Sequence, residues 1–166
     1  MRLFLLIVVF GCSLAAPFAW ADEDTVPIDQ PVATFMRPQG WPAYPDDHGV
    51  LTVSSDGRAS VDMLLVNAAD DSAAVSFALD HIATTRLKLQ PASRHLKPDR
   101  TIDGRPAHVI ERTGRDPEGP KQIILTQVKL DQPRSYLMII VQGAPAGLKA
   151  NAGKIERMLN SIKLLK

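Results

Sequence analysis

Residues 136–142 read YLMIIVQ and residues 123–125 read IIL, and these two apolar runs decide the fold. A strand with one face in water alternates apolar and polar side chains along its length. Neither run alternates, and a nearly continuous apolar run is typical of a strand buried on both faces. The sequence therefore predicts a sheet whose centre is covered on both sides.

The segments around these runs predict further strands that are joined mostly by short turns. Asp56-Gly57 is a strong turn signal between two β-type runs, so residues 50–54 and 59–66 are expected to form a hairpin. We expect other strands near residues 32–36, 94–96, 107–112, 122–130 and 136–142, with turns at 103–104 and 132–133 and a loop over 116–120.

Two helices are predicted, and the second has the clearer pattern. Asp70-Asp71-Ser72 offers N-cap side chains, and apolar residues then follow at helical spacing, which predicts a helix over 72–89 that ends before Pro91. Near the C-terminus, apolar residues recur every three or four positions and predict a helix with one buried stripe: Leu148, Ala152, Ile155, Leu159 and Ile162.

Residues 1–21 have the features of a secretory signal peptide. Arg2 precedes an apolar run shorter than the ~20 residues of a bilayer span, and Ala19-Trp20-Ala21 places small side chains at the −3 and −1 positions of a cut after Ala21. We expect a periplasmic or secreted protein with no transmembrane segment after cleavage. The only cysteine, Cys12, lies in this segment, so the mature chain has no thiol. Phe10 is too bulky for a lipobox, which argues against lipidation of Cys12.

A single domain is expected after the signal peptide. Residues 22–45 contain five of the 13 prolines and are expected to form an extended lead-in, because proline fixes φ and removes an amide donor. Residues 46–166 are expected to form the α/β domain, with its first strand starting as early as residue 32.

Three short segments resemble those of a known superfamily. They are residues 35–41 (FMRPQGW), residues 102–107 (IDGRPA) before the middle strands, and residues 161–163 (SIK) at the end of the last helix. Over residues 35–166 the chain resembles the Mog1/PsbP/DcrB superfamily. The resemblance implies an α+β fold, an α/β/α sandwich with a central antiparallel sheet flanked by helices. It also implies a non-catalytic accessory or binding role.

No motif of a common catalytic or cofactor-binding site occurs in the sequence. It contains no G-x-G-x-x-G, G-x-x-x-x-G-K-[ST], G-x-S-x-G or H-E-x-x-H. No two of the four histidines have metal-ligand spacing on one predicted element, so neither a metal nor a cofactor is predicted, and we expect no enzymatic activity. Two alternatives stay open: a small hydrolase that uses His48 or His108 with carboxylates, and a carrier that holds a small apolar ligand beneath the terminal helix.

The charges are balanced in number but unevenly distributed. The net charge of +1 argues against a nucleic-acid-binding protein that depends on bulk attraction to phosphate. Residues 22–80 carry eleven acidic and two basic side chains, whereas residues 81–166 carry seven acidic and sixteen basic ones. Eight of the basic residues fall within 86–115 and predict a basic face for an anionic partner. The alternative is that the two halves interleave in the fold and neutralise each other.

Five residues are candidates for binding. Arg105, His108 and Arg112 are expected to line a basic groove that suits a carboxylate or a phosphate. Trp41 and Tyr44, between prolines, either form an exposed aromatic surface or leave Trp41 as a plug in the core. The predicted function is an exported, periplasmic, non-catalytic accessory or binding protein of the bacterial envelope. Its predicted partner is an envelope protein or an anionic lipid or glycan.

Overall fold

A computed structural model of the chain describes residues 23–25, 32–45, 50–55, 57–84, 87–90 and 100–165. It contains eleven strands and two helices, in chain order: β1 (Glu23–Thr25), β2 (Ala33–Met36), β3 (Ala43–Pro45), β4 (Val50–Ser55), β5 (Ala59–Asn67), α1 (Asp71–Thr84), β6 (Lys88–Leu89), β7 (Arg100–Ile102), β8 (Arg105–Asp116), β9 (Gly119–Lys129), β10 (Ser135–Gly143), α2 (Pro145–Asn160) and β11 (Lys163–Leu164).

The main sheet has eight strands, and its pairs are antiparallel. Its order is β3-β4-β5-β10-β9-β8-β6, and β7 also pairs with β8. The run at residues 136–142 forms the central strand β10, in which Ile139 lies opposite Met63 of β5 and Thr126 of β9. A smaller sheet joins β1, β2 and β11. The predicted α+β class is confirmed.

Both faces of the central strands are buried, as the apolar runs predict. Leu137, Ile139 and Val141 belong to a core cluster that also contains residues of α2. Met138 and Ile140 belong to a second cluster on the α1 side of the sheet. Successive side chains of β10 therefore enter two different cores, which explains why this strand is apolar at nearly every position.

Helix α1 ends earlier than the sequence predicts. The expected helix over 72–89 is wrong at its C-terminal end, because Lys88 and Leu89 form strand β6 and pair with Arg115 and Gly114 of β8. The sheet offers this segment backbone hydrogen bonds that a longer helix would forgo. The predicted loop over 116–120 is also wrong. Strands β8 and β9 continue through it, with a tight turn in which the Asp116 Oδ1 accepts hydrogen bonds from the amides of Glu118 (2.8 Å) and Gly119 (3.0 Å).

The buried side of α2 agrees with the predicted stripe in part. Leu148, Ile155 and Leu159 are buried as predicted, but Ala152 is exposed. Met158, outside the predicted stripe, is fully buried. Ile162 is buried beyond the end of the helix, in the segment that leads into β11.

A short latch connects β11 to the turn between β7 and β8. The Asp103 carboxylate accepts hydrogen bonds from the Lys163 ammonium at 3.0 Å and from the Leu164 amide at 3.0 Å. The bond from Lys163, helped by the Leu164 amide, lowers the pKa of Asp103. Asp103 has a positive φ of 48°, which aspartate tolerates better than most residues. This turn, predicted at 103–104, therefore anchors strand β11.

Some predictions fall on residues outside the described ranges. These are the signal peptide at 1–21 with Cys12, the candidate residue His48, and the strand expected at 94–96. The strand predicted near 32–36 corresponds to β2, whereas β3 was not predicted because of its prolines. An edge strand such as β3 tolerates proline. Within the described part of the chain, no helix has both the length and the apolar character to cross a bilayer.

Candidate functional site

A concave site of about 350 Å³ lies on the α1 side of the sheet, beside the first turn of α1. We call it the charged groove. Its lining combines basic, acidic and amide side chains with two apolar ones: Asp71, Arg105, Pro106, His108, Gln127, Lys129, Leu130 and Tyr136.

Three adjacent strands position the side chains of the charged groove. His108 of β8 lies opposite Gln127 of β9, and Lys129 of β9 lies opposite Tyr136 of β10. Side chains two residues apart on a strand share a face, so Gln127 and Lys129 both face α1. The strand register therefore brings together residues that are distant in the sequence, such as His108 and Tyr136, which are 28 positions apart.

The start of α1 closes one side of the groove through hydrogen bonds to the sheet. The Gln127 Nε2 donates to the backbone carbonyl oxygen of Asp71 at 3.1 Å. Burial of the Tyr136 ring, and then its hydroxyl bond to the Asp71 carboxylate, raises the pKa of Tyr136. Asp70 caps the helix, because its Oδ1 accepts a hydrogen bond from the Ala73 amide at 2.9 Å. Both acidic side chains at this helix end are therefore engaged by the protein itself.

Arg105 is held at the rim of the groove by a bidentate ion pair with Asp131. Its Nη1 donates to the Asp131 Oδ1 at 2.8 Å, and its Nη2 donates to the other carboxylate oxygen. This hydrogen bonding to Asp131 raises the pKa of Arg105. An exposed pair of this kind adds little to stability, but the fork geometry fixes the orientation of the guanidinium.

The structure brings together two of the three predicted basic residues. Arg105 and His108 both line the charged groove, whereas Arg112 does not. Arg112 shares the strand face of His108 but lies four residues further along β8, a separation of about 13 Å. Its Nη1 is 3.5 Å from the backbone oxygen of Glu111, which is longer than the ~2.7–3.2 Å of an ordinary N–H···O hydrogen bond, so this contact is weak.

The two predicted aromatic residues lie in different environments. Trp41 is only 4% exposed and packs in the core cluster on the α2 side, which agrees with the core-plug alternative. Tyr44 is 58% exposed on the edge strand β3, where it lies opposite Thr52. The two rings therefore do not form one exposed aromatic surface.

The described residues of the predicted basic face (86–115) do not share one side of the sheet. Arg100 pairs with Glu156 of α2 at 2.5 Å, on the side away from α1. Arg105 and His108 lie at the charged groove, and Arg112 lies further along the α1 side. The positive charge available to a partner is therefore confined to separate parts of the surface and does not form one continuous basic face.

Lys129, Gln127, Tyr136 and Asp71 of the groove were not among the predicted site residues. Lys129 and Tyr136 face each other across the turn that the sequence predicts at 132–133. In a hairpin, residues at equal distances before and after the turn lie opposite each other. This rule, applied to the turn predicted at 132–133, would have paired Lys129 with Tyr136. Among the described side chains, no cluster of three or more histidine, cysteine, aspartate or glutamate residues could hold a metal ion.

Comparisons with known proteins identify the fold but no close relative. No family model matches the sequence, and no curated protein matches it. Among solved structures, LpqN of Mycobacterium tuberculosis, which is involved in cell envelope biogenesis, is similar with a TM-score of 0.59 and 11% identity, over 87% of this chain and 91% of that one.

Two further solved structures agree with this result. A mutant of Mog1 has a TM-score of 0.53 and 12% identity, over 88% of this chain and 97% of that one. The cyanobacterial PsbP of Synechocystis has a TM-score of 0.52 and 11% identity, over 80% and 86% of the two chains. The protein therefore has the Mog1/PsbP-like fold that its short motifs suggest.

Proposed function

We propose that this protein is an exported, non-catalytic binding protein of the cell envelope, and that its charged groove holds an acidic side chain of a partner protein. The observation that carries the proposal is the convergence of Arg105, His108 and Lys129 at one concave site beside the start of a helix.

The groove contains a cation that is available to a partner. Lys129 is exposed and, within the described ranges, makes no ion pair. Arg105 already binds Asp131 but presents a fixed guanidinium edge at the rim. A carboxylate that enters here gains a charge-assisted hydrogen bond from the Lys129 ammonium.

The apolar part of the lining favours an acidic side chain of a protein over a bare anion. Leu130 and Pro106 form walls beside the charged groups. The methylene groups of an aspartate or glutamate can pack on these walls while the carboxylate meets Lys129. The expected signal peptide and the structural similarity to LpqN, a protein of envelope biogenesis, support a partner in the envelope.

The hydrolase alternative receives no support from the groove. His108 and Asp71 both line it, but among the described residues of its lining there is no serine, threonine or cysteine. The other version of this alternative depends on His48, which lies outside the described residues.

A pull-down from an envelope fraction with charge-reversal variants tests the proposal. The Arg105→Glu/Lys129→Glu double variant should recover at least about tenfold less of the partner than the unmodified protein, because each substitution places a negative charge at the groove that repels a carboxylate. Arg112→Glu is the matched control, since it reverses a charge on the same strand outside the groove. Circular dichroism should show that all variants are folded. Equal recovery by the double variant, or an equal loss with Arg112→Glu, would contradict the proposal.

A further inference from the structure

A second groove lies on the opposite side of the sheet, beneath helix α2. We call it the α2 groove. It has a volume of about 280 Å³ and is predominantly apolar. Ile124 and Val141 of the sheet form its floor, and Leu148, Ala152 and Ile155 of α2 form its wall. Ala152, which the helical stripe placed in the core, is exposed where it borders this groove.

The groove is long and narrow. It follows α2 from Leu148 to Leu159, which is about 16 Å at the rise of an α-helix. Its volume is just below the range of about 300–1,000 Å³ that is usual for small-molecule sites. A site of this shape fits one extended hydrocarbon chain better than a branched or multi-ring ligand.

The two ends of the groove differ in charge. At one end, Arg100 is neutralised by Glu156 at 2.5 Å. At the other end, the Lys149 ammonium is exposed and has no ion-pair partner among the residues that the structure describes. Gln122 lines the groove and adds an amide donor, and the first turn of α2 contains no acidic residue that would repel an anion.

We propose that the α2 groove binds a single-chain fatty acid, with the hydrocarbon chain along Ile124 and Ile155 and the carboxylate at Lys149. The charge distribution orients the ligand, since among the described lining residues Lys149 is the cation without an ion-pair partner. This site is separate from the charged groove, because the two lie on opposite faces of the sheet.

Displacement of a dansyl-labelled undecanoic acid from the purified protein tests the inference. Saturated fatty acids should displace the probe, and each added methylene should tighten binding about fourfold until the groove is full. The neutral alcohol with the same chain as dodecanoate should bind more weakly than the acid. Because the dansyl group is itself a two-ring system, binding of unlabelled dodecanoate is also measured by titration calorimetry, and absence of saturable dodecanoate binding would overturn the proposal.

A matched pair of variants locates the hydrocarbon chain. Ala152→Trp should fill the groove and weaken dodecanoate binding at least about tenfold, because the buried methylenes lose their site. Ala150→Trp introduces the same side chain at an exposed position of α2 that does not line the groove. It should bind dodecanoate like the unmodified protein. Equal affinities of these two variants would overturn the assignment of the chain to this groove.

A second pair tests the position of the carboxylate. Lys149→Glu should weaken dodecanoate binding about fivefold or more and leave binding of the neutral alcohol unchanged. Lys154→Glu makes the same charge change at an exposed position of α2 outside the groove. It should change neither affinity. If both variants bound the acid equally, or if Lys149→Glu weakened acid and alcohol alike, the carboxylate would not lie at Lys149.

Discussion

Two glycines of helix α2 are predicted to respond in opposite ways to the same substitution. In an ordinary helix interior, replacing glycine by alanine stabilises the protein by about 0.5–1 kcal/mol, because glycine loses more backbone entropy on folding. At Gly153 an added Cβ would meet no heavy atom within 4 Å. Gly153→Ala should therefore raise the free energy of unfolding by about 1 kcal/mol and the Tm by about 2–4 °C.

At Gly147 the first turn of α2 approaches the hairpin between β4 and β5. A Cβ there would overlap the backbone carbonyl oxygen of Arg58 and lie 3.0 Å from its carbonyl carbon. Both neighbours are backbone, so no side-chain rotation relieves the clash, and overpacking of this kind costs about 1–3 kcal/mol or more. The helix-propensity gain of about 1 kcal/mol offsets part of that cost. We expect Gly147→Ala to lower the free energy of unfolding by about 1–2 kcal/mol.

Urea unfolding of the two variants, followed by circular dichroism at equal protein concentration, measures the difference directly. The expected gap between Gly147→Ala and Gly153→Ala is about 2–3 kcal/mol, with the unmodified protein in between. If Gly147→Ala and Gly153→Ala had the same free energy of unfolding, α2 would not approach Arg58 as closely as the structure shows. The wall of the α2 groove would then be wrongly placed as well.

The remaining predictions concern the aromatic residues and the C-terminal latch. Trp41→Ala should cost about 3–5 kcal/mol in urea unfolding, because Trp41 is 4% exposed, whereas Tyr44→Ala at its exposed position should stay within about 0.5 kcal/mol. Equal losses of unfolding free energy in the two variants would contradict the assignment of Trp41 to the core. The folded state lowers the pKa of Asp103, so its contribution to stability is present above about pH 4 and is lost as the pH falls through the lowered pKa. Asp103→Asn should lower the Tm at pH 7 and weaken the fall of Tm with acid; an unchanged Tm–pH profile would contradict the latch.

Much of the fold follows from local patterns in the sequence. The apolar run of β10 alone indicates a strand with two buried faces, and Asp56-Gly57 indicates the hairpin of β4 and β5. The errors fall where distant pairing competes with local preference. Lys88 and Leu89 continue a helical pattern, but β8 provides backbone partners that lie 25 or more residues further along the chain. A prediction from local helix and strand propensities does not take such distant pairing partners into account.

The candidate site was predicted in part, for a related reason. Strand alternation correctly places His108 and Arg112 on one face, but it carries no information about which part of that face is concave. The groove depends on where α1 begins against β9, through the bond from Gln127 to Asp71. Lys129 enters the site through the β9–β10 register, a long-range feature that charge counting along the sequence does not include.

Site-specific photocrosslinking tests most directly whether the charged groove is the surface that meets a partner. A photoreactive amino acid replaces His108 in the groove, and the same amino acid replaces Phe77, which is 55% exposed on the outer side of α1, as the control. We expect irradiation of cells to give a crosslinked envelope protein from position 108 and none from position 77. The Arg105→Glu/Lys129→Glu background should abolish the product. Equal products from both positions, or a product from position 108 that survives the charge reversals, would contradict the proposed function.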